Sequence, residues 1–330
     1  MKKALIVFVA IIIALFLFYL VGPKPNYKLG SPIIDDFEIP LVHLQDFIEK
    51  RESLIKDLRP GNESVLQWAD STVKTEYAVV FLHGFSASPM EGNPTAYELA
   101  KHLNANLYIP LLADHGRKLG EENFLNLTPK ALIESAKQAI AVANAIGEKV
   151  IVISSSTGGT LSSYLAAHNP TKIHAQIMCS PNIQIAKAGT DMLIGPWGLQ
   201  IARMIFGGKN RSYTLDEAEA MNYWTHRYRL EGVQCLASLV KMTMTDEAFA
   251  KINQPTFVAY YYKDENNKDE VVSIPAMHDF INKINTPKSQ QKIEAYGEVG
   301  AHVMTSKFQS KDRSRLKTDI FKFVDGLDSN

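Results

Sequence analysis

The chain has little cysteine and no excess of charge of either sign. Two cysteines, Cys179 and Cys235, stand in 330 residues. They are too few for a disulfide framework and lack the spacing of a metal cluster. Both lie among apolar neighbours ("QIMCSPN" and "GVQCLASL"), the setting of small buried hydrophobes rather than of a bridge. Lysine plus arginine and aspartate plus glutamate number 35 each, so the formal net charge is zero. That balance excludes the electrostatic footprint of a nucleic-acid partner. The one basic-looking stretch, "SKDRSRLK" (Ser310 to Lys317), carries an acid among its bases and reads as a solvated helix face. Internal repeats and low-complexity tracts are also missing, which excludes a solenoid or fibrous array. The remainder, 46% hydrophobic and 21% charged, is ordinary globular composition, long enough for one large domain or two small ones.

What the chain does have begins at its N-terminus. After "MKK" comes "ALIVFVAIIIALFLFYLV", Ala4 to Val21, with no charged residue. As a helix it is about 27 Å long, close to the hydrocarbon thickness of a bilayer. A cleaved signal peptide would have a shorter apolar core and a small-x-small site, and "YLVGPKPNYK" offers no good one. An uncleaved single-pass anchor is therefore expected. Lys2 and Lys3 favour a cytoplasmic N-terminus and a main domain outside the cytoplasm, while Lys24 and Lys28 pull the other way. "GPKPNYKLGSP" (Gly22 to Pro32) reads as a linker, followed by a helix from Leu41 to Leu58 that "RPGN" stops.

From there short aliphatic runs alternate with helical stretches. Tyr77–Leu82, Asn106–Leu112, Lys149–Ser154, Ile173–Cys179, Thr256–Tyr262 and Lys292–Gly297 read as strands, and their near-continuous hydrophobicity suits a parallel sheet covered on both faces. Thr128 and Pro129 open one intervening helix and Gly147 closes it; another runs from Thr157 to about Asn169, before Pro170. The pattern predicts an α/β fold with a mostly parallel, doubly wound sheet. The interval from Asn182 to Gln254 breaks the rhythm with "MLIGPWGLQIARMIF" (Met192 to Phe206) and "LEGVQCLASLVKM" (Leu230 to Met242), and reads as an inserted helical cap. The expected organisation is 1–22 anchor or signal segment, 23–64 linker and N-terminal helix, 65–181 with 255–330 the α/β core, and 182–254 the cap.

Chemistry concentrates in "VISSSTGGT", Val152 to Thr160. A serine hydroxyl is a poor nucleophile unless a sharp turn presents it beside a base and an oxyanion site. The strand-to-helix turn that does so, G-x-S-x-G, needs small residues two before and two after the nucleophile. Ser154 has Val152 and Ser156 at those positions, and Ser155 has Ile153 and Thr157; bulk excludes both. Ser156 has Ser154 and Gly158, with Gly159 following. Ser156 is the candidate nucleophile, with serine at 154 where glycine is usual. Upstream, a hydrophobic strand ends in "LHGFSASPMEG" (Leu82 to Gly92). The N–H groups of Phe85 and Thr157 are the candidate oxyanion donors.

These segments, with "ADHGR" (Ala113 to Arg117), resemble the α/β-hydrolase superfamily, in particular its carboxylesterase and monoacylglycerol-lipase branch, over roughly Val65 to Leu327. The resemblance implies an α/β-hydrolase fold, a Ser–Asp–His triad in that chain order, no metal or other cofactor, and acyl ester or thioester substrates. For the acid, Asp269 in "DEVV" matches the family's turn before a helix. Asp264 lies nearer the strand end and competes with it. The base is His302 in "YGEVGAHVMTSK", which follows the last expected strand. His83 and His115 are expected to brace the loops around the site, and His278 to be a surface or packing residue. A small-molecule acyl ester is the expected partner, and the apolar cap and the anchor favour a lipidic one. The same scaffold also serves thioesterases, aminopeptidases, cofactor-free lyases and catalytically silent binding modules.

Overall fold

The computed structural model describes residues 2–327. Its strands in chain order are β1 (Val65–Gln67), β2 (Thr75–Leu82), β3 (Asn106–Ile109), β4 (Gly147–Ser155), β5 (Ala175–Cys179), β6 (Asn210–Ser212), β7 (Arg227–Arg229), β8 (Thr256–Tyr260), β9 (Tyr262–Asp264), β10 (Asn267–Lys268) and β11 (Gln291–Ala295). Seven of them form one sheet in the order β1-β3-β2-β4-β5-β8-β11. Within it β1 pairs antiparallel with β3, and every other pairing is parallel. The strands β6 with β7, and β9 with β10, make two separate antiparallel ribbons.

The helices are α1 (Lys2–Leu20), α2 (Leu44–Glu52), α3 (Thr95–His102), α4 (Pro129–Ile146), α5 (Thr157–His168), α6 (Gly198–Ile205), α7 (Leu230–Thr243), α8 (Asp246–Phe249), α9 (Ile274–Lys283) and α10 (Ser314–Asp325). Successive strand residues point to opposite faces, so a strand apolar at every position needs two cores. Both are present. Val79, Phe81, Ile151, Ile153, Ile177 and Phe257 pack with Leu99 of α3 and Leu316 and Ile320 of α10. Ala78, Val80, Leu82, Val150 and Val152 pack on the other side with Leu132 and Ile140 of α4 and Leu161 and Leu165 of α5. This is the expected doubly wound, mostly parallel sheet. Cys179 and Cys235 are free and buried, one in each core.

Local signals explain several boundaries. The Thr128 hydroxyl accepts from Ala131 N–H at 3.2 Å with Pro129 in the first turn, so α4 begins where its cap allows. A Cβ at Gly147 would lie 2.4 Å from Ala78 N, so close pairing of β4 with β2 requires glycine there. Elsewhere the expected ranges shorten. The strand expected over Asn106–Leu112 stops at Ile109, ahead of Pro110, whose nitrogen cannot join a ladder. The helix expected over Leu41–Leu58 is a 3-10 turn at Leu41–His43 followed by α2, ending at Glu52. The run from Met192 to Phe206 is broken: a 3-10 turn ends at Ile194, Trp197 takes φ 58°, and α6 starts at Gly198. Its "GPWG" supplies two glycines and a proline, which interrupt helix propagation.

Beyond α1 the chain does not hang free. Tyr27 and Leu29 pack against one of the two cores, and Ile34 N–H donates to Asn169 Oδ1 at 2.8 Å.

Candidate active site

The parallel strands all end on one edge of the sheet, and the loops leaving β2, β4, β8 and β11 gather there. Ser156 follows the last residue of β4 and precedes the first of α5, at φ 50°, ψ −113°. A non-glycine residue in that region costs on the order of 1–3 kcal/mol and persists only where its surroundings impose it. Here they do. Ser156 N–H donates to the Cys179 carbonyl at 3.1 Å, and the Ser156 carbonyl accepts from Asn182 N–H at 3.0 Å and Gly159 N–H at 2.9 Å. The end of β5 thus clamps both sides of the turn. The glycines that follow are steric necessities. A Cβ on Gly158 would sit 1.9 Å from the Leu82 carbonyl oxygen, and one on Gly159 would sit 2.6 Å from Pro181 Cβ.

The two neighbouring serines have other partners. Ser154, buried within β4, directs its hydroxyl to the Ile177 carbonyl on β5 at 3.3 Å. Its side chain thereby fits at a position where glycine is usual. Ser155 donates to Glu91 Oε1 at 3.1 Å.

The turn after β2 approaches the elbow from the other side. A Cβ on Gly84 would lie 3.2 Å from Ser156 Cβ, a tight contact that shows how near the two turns come. Among the described residues no hydrogen bond engages the N–H of Phe85 or of Thr157. Those are the two donors expected to face an oxyanion. His83 is fully buried: its Nε2 accepts from Leu112 N–H at 3.0 Å and its Nδ1 lies 2.9 Å from the Gly84 carbonyl. Burial, reinforced by His115, holds its pKa well below the usual histidine value, so the ring is neutral. His115 packs edge-on to His83 and Phe85, and burial lowers its pKa to about 4. Both histidines shape the loop.

Of the two candidate acids, Asp264 is exposed at the end of β9. Its carboxylate accepts from Asn266 N–H and Asn267 Nδ2 at 2.9 Å, within its own ribbon. Asp269 is buried. Its Oδ2 lies 2.7 Å from His302 Nδ1, and its Oδ1 accepts from Val271 N–H at 2.9 Å and Val272 N–H at 3.1 Å. Burial pushes this carboxyl upward, but His302 and the Val271 N–H outweigh it and hold it below the ordinary range. His302 shows the mirror effect. Burial favours its neutral form, yet the Asp269 carboxylate, joined by Glu91, leaves its pKa above the ordinary 6.5. With Nδ1 engaged by the carboxylate, Nε2 is the nitrogen left to accept a proton. His278 lies on α9 with Nε2 3.1 Å from the Tyr260 hydroxyl, apart from this pair.

Sequence reasoning passed over Glu91. It is 1% exposed, and its Oε2 accepts from Gly84 N–H at 2.5 Å. Its carbonyl accepts from the Thr305 hydroxyl at 3.0 Å, three residues beyond His302. A glutamate in "SPMEG" reads as a polar turn residue; its burial depends on partners remote in sequence.

The sequence pattern of the alpha/beta hydrolase family matches residues 79–299, more than half of the chain. The chain belongs to the alpha/beta hydrolase family. Solved structures of this hydrolase fold agree. A lipolytic enzyme of the metagenome-derived pair LipS and LipT superposes with a TM-score of 0.64 at 15% identity, covering 83% of this chain and 100% of that one. The monoacylglycerol lipase of Paleococcus ferrophilus gives 0.57 at 12% identity, covering 80% and 98%. MenH from S. aureus gives 0.52 at 15%, covering 80% and 98%. At such identities the likeness is one of fold. A search of curated protein sequences finds no match.

Proposed function

We propose that this hydrolase cleaves carboxylic esters of acyl or lipidic character through an acyl-enzyme, with Ser156 as nucleophile, His302 as base and Asp269 as the acid that orients it. The observation that carries this reading is the 2.7 Å bond between His302 Nδ1 and the buried Asp269 carboxylate. It leaves Nε2 as acceptor at the same sheet edge as the strained Ser156 turn. Ser156 Oγ attacks the ester carbonyl carbon as its proton passes to His302 Nε2. The Phe85 and Thr157 N–H groups receive the oxyanion. The imidazolium, stabilised by Asp269, then protonates the departing alcohol. Water, deprotonated by His302, releases the acid and restores Ser156.

The lipidic substrate class rests on the surroundings. Helix α1 is 19 residues long with mean hydropathy 2.8, enough to cross a bilayer, and we read it as a single-pass anchor with the hydrolase domain outside the cytoplasm. Segment 182–254, read as the cap, meets the end of that helix. Trp197 stacks on Phe18 with ring centroids 5.0 Å apart, and its backbone N–H donates to the Pro23 carbonyl at 2.8 Å. At the other end of α6, in the same segment, Met204, Ile205 and Phe206 are exposed. An apolar surface on a segment that meets an anchor suits a substrate drawn from lipid.

The test is a turnover panel on the purified full chain: short- and long-chain acyl esters, acyl thioesters and aminoacyl amides, each with Ser156→Ala as control. Ester hydrolysis rising with chain length and lost in Ser156→Ala is expected. Preference for thioesters or amides would move the substrate class, and turnover unaffected by Ser156→Ala would overturn the mechanism.

A further inference from the structure

The carboxyl of Glu91 occupies an unusual place. It sits on the 3-10 turn Pro89–Gly92, fully enclosed, with one oxygen on Gly84 N–H and the other on the Ser155 hydroxyl. Gly84 immediately precedes the candidate oxyanion donor Phe85, and Ser155 immediately precedes the candidate nucleophile. The position a Gly84 Cβ would take lies 3.2 Å from Ser156 Cβ and 3.3 Å from Glu91 Oε1, so carboxyl and nucleophile flank the same glycine. The main chain of Glu91 is tied, through Thr305, to the loop that carries His302, and the Thr305 carbonyl is fixed in turn by the Thr95 hydroxyl at 2.7 Å. No lysine or arginine forms a salt bridge with Glu91 among the described residues. Accepting one N–H and one O–H needs only a neutral amide or carbonyl. A buried carboxyl without a cation is a costly choice for that task.

We propose that Glu91 is a positioning residue of the hydrolytic site: it locks the oxyanion turn to the nucleophile elbow, and its negative charge supports the imidazolium form of His302. This rests on the serine-hydrolase reading above. Ser155 and Gly84 from the two turns bond the carboxyl directly, and the titratable groups whose charge it influences are His302 from the loop after β11, Cys179 at the end of β5 and Tyr213 from the segment after β6. Burial pushes the Cys179 thiol up to about 12 and also raises the Tyr213 phenol from its ordinary value, so both stay neutral near pH 7. His302 is therefore the partner whose charge couples to Glu91. Burial raises the Glu91 carboxyl to about 7 against the Gly84 and Ser155 hydrogen bonds, so it acquires its charge in the range where His302 becomes a base.

The sign follows. A negative Glu91 raises the His302 pKa, so removing the charge lowers it and lets the base act at lower pH. Glu91→Gln keeps an acceptor for Gly84 N–H without the charge, whereas Glu91→Leu removes both. The experiment is the pH profile of kcat/KM, with the pH dependence of fluorophosphonate labelling as a second readout, on full-length wild type, Glu91→Gln, Glu91→Leu and Ser155→Ala, each checked for folding by circular dichroism. The expected result is an acid limb displaced to lower pH in Glu91→Gln, with plateau activity within about tenfold of wild type. Glu91→Leu, which frees a buried N–H, should lose at least tenfold more. Ser155→Ala deletes a bond that favours the charged carboxyl and should shift the limb in the same direction, so it serves if Glu91→Gln does not fold. Profiles of the folded variants that superimpose on wild type, or shift to higher pH, overturn the proposal. If Ser156→Ala keeps full activity, the hydrolase reading itself fails, a distinguishable outcome.

Discussion

At Ser156 the backbone conformation and the side-chain chemistry ask for the same thing, a small residue on a forced turn. Reading "SSS" in sequence, crowding alone separates Ser156 from its neighbours. The structure supplies the physical counterparts: the Leu82 carbonyl against Gly158, Pro181 against Gly159, and other bonds for Ser154 and Ser155. Asp269 was less legible, because Asp264 lies nearer a strand end and nothing local shows which carboxyl turns inward. In the structure the ribbon β9–β10 holds Asp264 in its own turn, and Asp269 is the carboxylate that meets His302. Asp269→Asn should accordingly lower kcat by about four orders of magnitude, as loss of the orienting acid does elsewhere, while Asp264→Asn stays within a few-fold; ester turnover by the two variants is the check. The acid limb of kcat/KM should have its midpoint above 6.5, since net interactions raise His302 and the base works only when deprotonated. A midpoint below 6.5 would contradict the pairing. Glu91 was illegible because burial of a turn residue is decided by the two loops that close over it. Its folded-state value of about 7 lies above the ordinary 4.5, so its contribution to stability is full below about pH 4.5 and lost as pH rises through 7. Glu91→Gln should flatten that part of the curve, by on the order of 3 kcal/mol, in urea unfolding followed across pH.

Among elements, the long apolar strands and the capped helix α4 were legible, because hydrophobic runs and a Thr-Pro start act over a few residues. Strand β1, three residues of antiparallel pairing at the sheet edge, carries no comparable pattern and was not anticipated. The break between Ile194 and Gly198 was legible in principle from "GPWG", yet the apolar periodicity on either side hid it. The elbow is the element where small changes should cost most. Gly158→Ala must displace the Leu82 carbonyl or unwind the start of α5, and a loss of about 3 kcal/mol or more is expected in thermal or denaturant unfolding. Gly208→Ala, whose added methyl meets nothing within 4 Å, is the matched control and should be near neutral.

For the molecule as a whole, strand–helix alternation indicated the α/β class, and the family match and the fold agree with that class. The segment read as a linker is instead laid along the domain, with Ile34 buried and Asn169 holding the backbone at Pro32 and Ile34. Proline and glycine content signals irregular backbone, and does not say whether that backbone is docked. Such a tether leaves the domain close to where α1 ends. Protease added to intact cells should therefore reach the domain, if it lies outside as proposed, and protection from cleavage would reverse that orientation. The central claim, however, is that Ser156 is the activated nucleophile. Fluorophosphonate labelling of the purified full chain, with the adduct located by peptide mass spectrometry, addresses it directly. The account predicts one adduct, on Ser156, absent in Ser156→Ala and much slower in His302→Ala. Undiminished labelling of Ser156→Ala, or an adduct on another residue, would contradict it.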